Sequence, residues 1–233
     1  MHWRYNSSVV SQSHVEPFAD LSAEPAVRGF LHFPTRENGD ALVLTHGAGA
    51  NCQSKLLLAI AEAFAEAGVT VLRCDLPFRQ ARPHGPPFPN SAERDREGLR
   101  RAVNAVRQRV PGRIFLGGHS YGGRQATMLL AGLQEDEVQQ LGGLLLLSYP
   151  LHPPRKPTEM RTSHFPRLQT AALFVHGSRD PFGSVTEMTS ALKLIPARTL
   201  LLEAEGVGHD LLSRKTAGNL PARIVETFTS FFA

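Results

Sequence analysis

Cysteine is scarce in this chain, since only Cys52 and Cys74 occur among its 233 residues. The two residues form no C-x-x-C pattern, so the sequence favours neither a disulfide framework nor a zinc site. Long apolar runs are also missing, because none approaches the roughly 18 residues that a membrane-spanning helix needs. Residues 1–18 lack the basic start and the apolar middle of a signal peptide. These absences predict a cytoplasmic protein without a metal and without a membrane contact.

Lysine is rare as well, and most of the positive charge is carried by arginine. The chain has 25 basic and 21 acidic residues, a net charge of +4, and its arginines are scattered among acids. It has no basic arm and no basic stretch interleaved with aromatic residues, which are the usual marks of a nucleic-acid-binding chain. We therefore predict no nucleic-acid partner.

The overall composition is that of a globular protein, with 42% apolar and 20% charged residues. At this length we expect one domain over residues 1–233. Short apolar runs bounded by Gly, Pro or Asp predict strands, and several are apolar without alternation, as in a parallel sheet covered on both faces. The predicted strands are Val27–Phe33, Ala41–Thr45, Val69–Arg73, Arg113–Leu116, Gly143–Leu147, Ala171–Val175 and Arg198–Leu202.

Helical periods lie between these runs. They are Lys55–Ala67, Arg94–Val110, Tyr121–Leu133, Ser184–Ile195 and Leu220–Phe232. Strand–helix alternation predicts an α/β fold with a mostly parallel central sheet and helices on both faces. Two proline-rich connections, Leu76–Ser91 and Tyr149–Pro166, follow strand ends and could shape a pocket. The second is short and broken by prolines, so we expect no large lid.

The segment Gly118-His119-Ser120-Tyr121-Gly122 fits G-x-S-x-G. An apolar strand runs into it and a helical pattern runs out of it, which is the setting of a nucleophile elbow. The alternative is a glycine-rich turn with an idle serine. The context favours Ser120 as a nucleophile exposed at the carboxyl edge of the sheet.

A serine nucleophile needs a base and an orienting acid, and in this architecture they follow in the order Ser, Asp or Glu, His. Asp180 follows one late strand and His209 follows the next. The alternatives are a turn-forming Asp before Pro181 and a surface histidine. The order and the spacing favour Asp180 as the acid and His209 as the base.

The oxyanion hole should be formed by backbone N–H groups of small residues after the strand Ala41–Thr45 and by the residue after the nucleophile. We predict the N–H groups of Ala48 and Tyr121 as the donors, with Gly49 as a second choice in the first loop. Further residues near the predicted edge are candidate substrate contacts: Gly49, Asn51, Arg79, His119 and His152. Arginines 79, 82, 124 and 179 could favour an anionic or polar ester, although surface ion pairs are the simpler explanation for each of them alone.

The motifs HGAGAN, GGHSYGG, HGSRDPFG and GVGHD, in this order, resemble the α/β-hydrolase superfamily over nearly the whole chain. DLPFRQ, SYPLHPP and GSRDPFG further resemble a small branch that is related to dienelactone hydrolases. That branch is similar to a testis-expressed protein and to a subunit of a eukaryotic histone-acetyltransferase complex. The resemblance implies Ser120 as nucleophile, Asp180 as acid and His209 as base. Dienelactone hydrolases use a cysteine nucleophile, so Ser120 departs from them and their substrate is not carried over.

The sequence therefore predicts a serine hydrolase that cleaves a small-molecule ester through an acyl-enzyme, without a cofactor. Two alternatives stay open. The first is a non-catalytic protein-binding module on the same fold, suggested by the complex subunit, and the second is a peptidase or thioesterase with the same three residues. A protein partner or a homodimer is also left open.

Overall fold

A computed structural model describes residues 13–134, 140–212 and 219–233. Eight strands form one sheet in the order β1-β2-β4-β3-β5-β6-β7-β8. The strands are β1 (His14–Asp20), β2 (Val27–Phe33), β3 (Ala41–Thr45), β4 (Thr70–Cys74), β5 (Ile114–His119), β6 (Gly143–Leu147), β7 (Ala172–Gly177) and β8 (Thr199–Ala204). Strands β3 to β8 pair in parallel, whereas β2 pairs antiparallel with both β1 and β4.

Helices cover both faces of this sheet, which confirms the predicted α/β architecture. They are α1 (Lys55–Glu66), α2 (Pro77–Ala81), α3 (Ala92–Arg107), α4 (Tyr121–Leu130), α5 (Val185–Leu192) and α6 (Leu220–Phe232). On one face α1 packs with α6, where the rings of Phe64 and Phe228 meet edge to face at 4.9 Å. On the other face α3, α4 and α5 bury Leu99, Leu129 and Met188.

The central strands are apolar without alternation because both of their faces are covered. Every residue of β3 and β6 is buried, as expected for a parallel sheet between two helical layers. The parallel strands β3, β5, β7 and β8 end at the same edge of the sheet. That edge carries the loops in which the candidate site residues lie.

Two elements were not predicted from the sequence. Strand β1 buries only Phe18 and contains Pro17, so it lacks a strong apolar pattern and is defined by its pairing with β2. Helix α2 is a five-residue helix that begins at Pro77, and it lies within the predicted proline-rich connection. The second such connection contains a single 3₁₀ turn, Phe165–Arg167, so the prediction that there is no large lid is confirmed.

Candidate active site

Ser120 lies in a sharp turn between β5 and α4. Its φ of 51° and ψ of −114° are values that a residue with a side chain rarely adopts. The Ser120 N–H donates to the carbonyl of Leu147 at 2.8 Å, which ties the turn to the end of β6. The turn holds the Ser120 side chain at the carboxyl edge of the sheet, as the G-x-S-x-G pattern predicts.

The glycines on either side of Ser120 allow this turn to pack. A Cβ at Gly118 would lie 2.6 Å from the backbone of Gly122, and a Cβ at Gly122 would lie 2.5 Å from the carbonyl oxygen of His46. These distances are far below van der Waals contact, so a larger residue at Gly118 would push the start of α4 away from β5, and one at Gly122 would push it away from β3.

The structure places the three predicted residues in one hydrogen-bonded series. The Ser120 hydroxyl donates to His209 Nε2 at 2.8 Å, and His209 Nδ1–H donates to Asp180 Oδ2 at 2.8 Å. The Asp180 side chain is fully buried, and its second oxygen accepts the N–H of Phe182 at 2.9 Å. This geometry allows His209 to take a proton from Ser120 while Asp180 holds the ring in the required tautomer.

Two further side chains fix the position of His209. The ring of Phe182 lies against that of His209, with centroids 4.3 Å apart. His119 Nε2–H donates to the carbonyl of His209 at 2.9 Å, and burial lowers the pKa of His119 to about 4, so this ring is neutral near pH 7. His119 was predicted as a substrate contact, and the structure gives it an additional role in holding the loop of His209.

The loop after β3 presents the N–H of Ala48 through bonds made by its neighbours. The carbonyl of Gly47 accepts from His46 Nδ1–H at 2.8 Å and from the Ala50 N–H at 3.1 Å. In a trans peptide the C=O and the following N–H point in opposite directions. The Ala48 N–H is therefore directed away from these two donors.

His46 is held in the tautomer that this loop requires. Its Nε2 accepts the N–H of Leu76 at 3.1 Å, which leaves the proton on Nδ1. The ring is fully buried, and burial lowers the pKa of His46, which keeps the ring neutral. The sequence alone does not predict this contact of His46.

Arg79 organises the same loop from α2. Its guanidinium donates to the carbonyls of Ala48 and Ala50, both at 2.8 Å, and to those of Arg82 and Gly85. The side chain is buried, so these carbonyls replace water around the charge. The structure thus commits these donors to backbone carbonyls. A direct contact between Arg79 and a substrate stays a prediction.

Tyr121, the second predicted oxyanion residue, is fixed by a buried carboxylate that sequence reasoning missed. The Tyr121 hydroxyl donates to Asp95 Oδ2 at 2.8 Å, and the Phe78 N–H donates to Asp95 Oδ1 at 3.0 Å. Asp95 is fully buried on α3, and burial raises its pKa. The signal was weak because Asp95 stands in a run of charged residues that is typical of a solvated helix face.

The remaining candidate contacts differ in their access to a ligand. Gly49 and Asn51 are exposed on the loop after β3, where the Asn51 side chain accepts the N–H of Gln53. His152 is buried, and its Nδ1 bonds to the carbonyl of Pro153. Their contact with a substrate stays a prediction.

A cavity of about 310 Å³ lies beside this site. Ala50 lines it from the loop after β3, Lys55 from the start of α1, and His119 and Asp210 from the elements that carry Ser120 and His209. The cavity is thus lined by residues that neighbour Ser120 and His209 in the chain, whereas Ser120, His209 and Asp180 themselves are not among its lining residues.

Metal-binding clusters and membrane-spanning helices are not features of the described residues. Within residues 13–134, 140–212 and 219–233, no group of three or more His, Cys, Asp or Glu side chains could hold a metal ion. The helices of the same residues include none that is long and apolar enough to cross a membrane.

Comparisons with a family model and with solved structures agree with the fold described above. A family model described as an alpha/beta hydrolase domain matches residues 38–231. A dienelactone hydrolase from Anabaena variabilis is 18% identical, with a TM-score of 0.73 over 95% of this chain and 99% of that chain. An alpha-beta serine hydrolase homologue from Coxiella burnetii is 16% identical, with a TM-score of 0.73 over 91% of this chain and 96% of that one.

A serine hydrolase from Xanthomonas campestris, described as being without a lid, is 15% identical, with a TM-score of 0.69 over 94% of this chain and 95% of that chain. At these identities the likeness concerns the fold alone. The similarity to the testis-expressed protein and to the histone-acetyltransferase subunit stays a prediction.

Proposed function

This chain belongs to the alpha/beta hydrolase family, and from that premise we propose that it hydrolyses esters with Ser120 as its nucleophile. The observation that carries the proposal is the series Ser120–His209–Asp180, in which both hydrogen bonds are 2.8 Å long. A serine hydroxyl is a weak nucleophile near neutral pH, and this series supplies the base and the orienting acid that it lacks.

In the first half-reaction His209 Nε2 accepts the proton of the Ser120 hydroxyl as its oxygen attacks the ester carbonyl. Asp180 stabilises the imidazolium that forms. The N–H groups of Ala48 and Tyr121 bind the developing oxyanion, since the fixed Gly47 carbonyl directs the first and the start of α4 supplies the second. When the tetrahedral intermediate collapses, His209 gives its proton to the leaving alcohol.

In the second half-reaction His209 takes a proton from a water molecule that attacks the acyl-enzyme. The acid leaves and the Ser120 hydroxyl is restored. Apart from the attacking water, the groups that act in these steps are side chains and backbone N–H groups of this chain. The absence of a large lid supports a small ester that reaches the serine directly from solvent.

The first test is covalent labelling with a fluorophosphonate probe. We expect the probe to label the wild-type protein and not Ser120→Ala, and we expect kcat for a short acetyl ester to fall by about 10⁴-fold or more in that variant. Ser148→Ala is the matched control, because Ser148 also follows a strand, has a positive φ of 49° and is fully buried.

A wild-type protein that is folded, by circular dichroism, but resists the probe would contradict the proposal and favour a non-catalytic binding module. A panel of acetyl esters, acyl thioesters and peptide amides separates the esterase from the thioesterase and the peptidase. We expect the highest kcat/KM with the esters.

A further inference from the structure

The proposed acid lies in the connection between β7 and α5, residues 178–184. Backbone bonds fix the first part of this connection, because the N–H groups of Ser178 and Arg179 donate to carbonyls of β8 and of the loop that follows it, at 3.0 and 2.9 Å. The part after Asp180 begins with Pro181, which has no N–H to donate. The position of this second part depends on donors that reach its carbonyls from other elements.

His176 reaches the second part of the connection from β7. Its side chain is fully buried, and its Nε2 lies 2.7 Å from the carbonyl oxygen of Gly183. A carbonyl oxygen only accepts, so Nε2 carries the proton of this bond. The N–H of His152 donates to the carbonyl of Phe182 at 3.0 Å. Two neighbouring carbonyls after the acid are therefore held, one by a backbone N–H and the other by the imidazole of His176.

The same imidazole lies beside the carboxylate of Asp180. Its second nitrogen, Nδ1, is 3.9 Å from Asp180 Oδ2, and both side chains are buried. This distance is beyond a hydrogen bond, and Nδ1 has no hydrogen-bond partner within the described residues. Oδ2 is the oxygen that accepts the Nδ1–H of His209 at 2.8 Å. His176 thus fills the space beside Oδ2 without competing with His209 for that oxygen.

The segment that His176 holds carries both side chains that meet His209 from this side. Asp180 accepts the Nδ1–H of His209, and the ring of Phe182 lies against the ring of His209 with centroids 4.3 Å apart. A shift of the Gly183 carbonyl would therefore displace the carboxylate and the ring together. A displacement of about 1 Å in a catalytic group can lower a rate by about 100-fold.

We propose that His176 is a positioning residue for Asp180, which acts through the carbonyl of Gly183 and through its contact with Oδ2. It gives no group to the reaction. Its effect is to keep the carboxylate directed at His209 Nδ1, so that the base holds the tautomer that accepts the proton of Ser120. The inference rests on the proposed function, because it concerns the acid of that same series.

Three substitutions separate the hydrogen bond of His176 from its polarity and its bulk. The amide nitrogen of Gln lies nearly at the place of Nε2 and that of Asn nearly at the place of Nδ1, while Leu has no donor. We expect kcat for a short acetyl ester to fall at least about tenfold in His176→Leu and in His176→Asn, with KM changed less than about twofold. His176→Gln should keep kcat within about threefold of the wild type. Equal losses in the two amide variants would overturn the proposal, because a general need for a polar side chain predicts no difference between them.

A second measurement needs no turnover. Crystal structures of the wild type and of the three variants give the distance between His209 Nδ1 and Asp180 Oδ2. We expect this distance to be longer by at least about 0.5 Å in His176→Leu and in His176→Asn, and to be kept in His176→Gln. His164→Leu is the matched control, because it removes another buried imidazole with one side-chain partner, Thr127 Oγ1 at 2.8 Å. It should leave the distance unchanged and kcat within about twofold of the wild type.

The outcomes separate the two proposals. If esters are cleaved and the probe labels Ser120, but His176→Leu keeps the wild-type kcat or the wild-type distance, the positioning role is wrong and the esterase stands. If no ester, thioester or amide is cleaved, but the distance lengthens in His176→Leu and is kept in His176→Gln, the hydrolase is wrong and the positioning of Asp180 stands. Circular dichroism checks that each variant is folded. If His176→Leu does not fold, the comparison of His176→Gln with His176→Asn decides in the same way.

Discussion

At the scale of single residues, the site depends on groups that act through the backbone. His46 and Arg79 both bond to carbonyls of the loop after β3, and neither donates a group to the proposed reaction. Their effect is to fix the direction of the Ala48 N–H before a substrate arrives. A donor that is already oriented stabilises an oxyanion without a cost of reorganisation at the moment of reaction.

His46→Leu should therefore lower kcat more than it changes KM. The leucine cannot hold the Gly47 carbonyl, so the oxyanion donor loses its orientation, and we expect kcat for an acetyl ester to fall about 10- to 100-fold. His46→Asn can still donate to that carbonyl and should keep more of the activity. A change in KM alone, with kcat preserved in His46→Leu, would contradict this role.

At the scale of elements, the elbow contacts β3 closely only because position 122 is a glycine. Gly122 lies against the carbonyl of His46 and the methyl group of Thr45, at 2.5 and 2.6 Å from the position of an added Cβ. Both neighbours are buried and fixed within the sheet edge. The start of α4 can approach β3 only because no side chain stands between them.

Gly122→Ala is expected to lower the free energy of unfolding by about 1–3 kcal/mol, because the elbow must move to admit the methyl group. Gly49→Ala is the control for stability, since a Cβ at Gly49 meets no atom within 4 Å. We expect it to change stability by less than about 0.5 kcal/mol. Urea denaturation measures the free energy of unfolding of both variants. Equal losses in the two variants would show that the close approach of α4 to β3 does not restrict the residue at position 122.

The contact between α3 and α4 depends on the buried carboxylate of Asp95. Tyr121→Phe removes one of its two hydrogen-bond donors and leaves Asp95 Oδ2 without this partner. We expect the free energy of unfolding to fall by about 1–3 kcal/mol. The double variant Tyr121→Phe with Asp95→Asn should lose less than the sum of the single changes, and strict additivity in this double-mutant cycle would argue against the contact.

At the scale of the whole molecule, two buried histidines and the half-buried His119 make stability depend on pH. Burial is the largest cause that lowers the pKa of His32, His119 and His164 from 6.5 to about 4. Each ring is neutral in the folded chain, while in the unfolded chain it binds a proton below about pH 6.5. Unfolding therefore takes up protons between about pH 6.5 and 4, so this stability is complete above that window and decreases as the pH falls through it.

Urea midpoints measured between pH 7 and pH 4.5 should thus decline. In His164→Gln the decline should be shallower by about one proton. His84→Gln, which changes an exposed histidine, should leave the slope as it is in the wild type. A slope in His164→Gln equal to that of the wild type would contradict the assignment.

How much of the fold and of the candidate site the sequence predicts depends on whether the interactions involved are local or long-range along the chain. The parallel strands were predictable because burial on both faces leaves a continuous apolar run. That Ser120, Asp180 and His209 lie together was predictable because each follows such a run. Strand β1 was not, since it is defined by its partner. Asp95 was not predictable, and Arg79 was predicted only as a substrate contact, because both are charged residues whose burial depends on tertiary contacts.

The series of Ser120, Asp180 and His209 spans chain separations of 89 and 29 residues, and its base follows β8, the outermost strand at one side of the sheet. Outer strands open more readily than central ones. During synthesis the proposed nucleophile is made before the proposed base, so we expect no turnover until β8 has joined the sheet. On mild heating we expect turnover to disappear before the rest of the molecule melts.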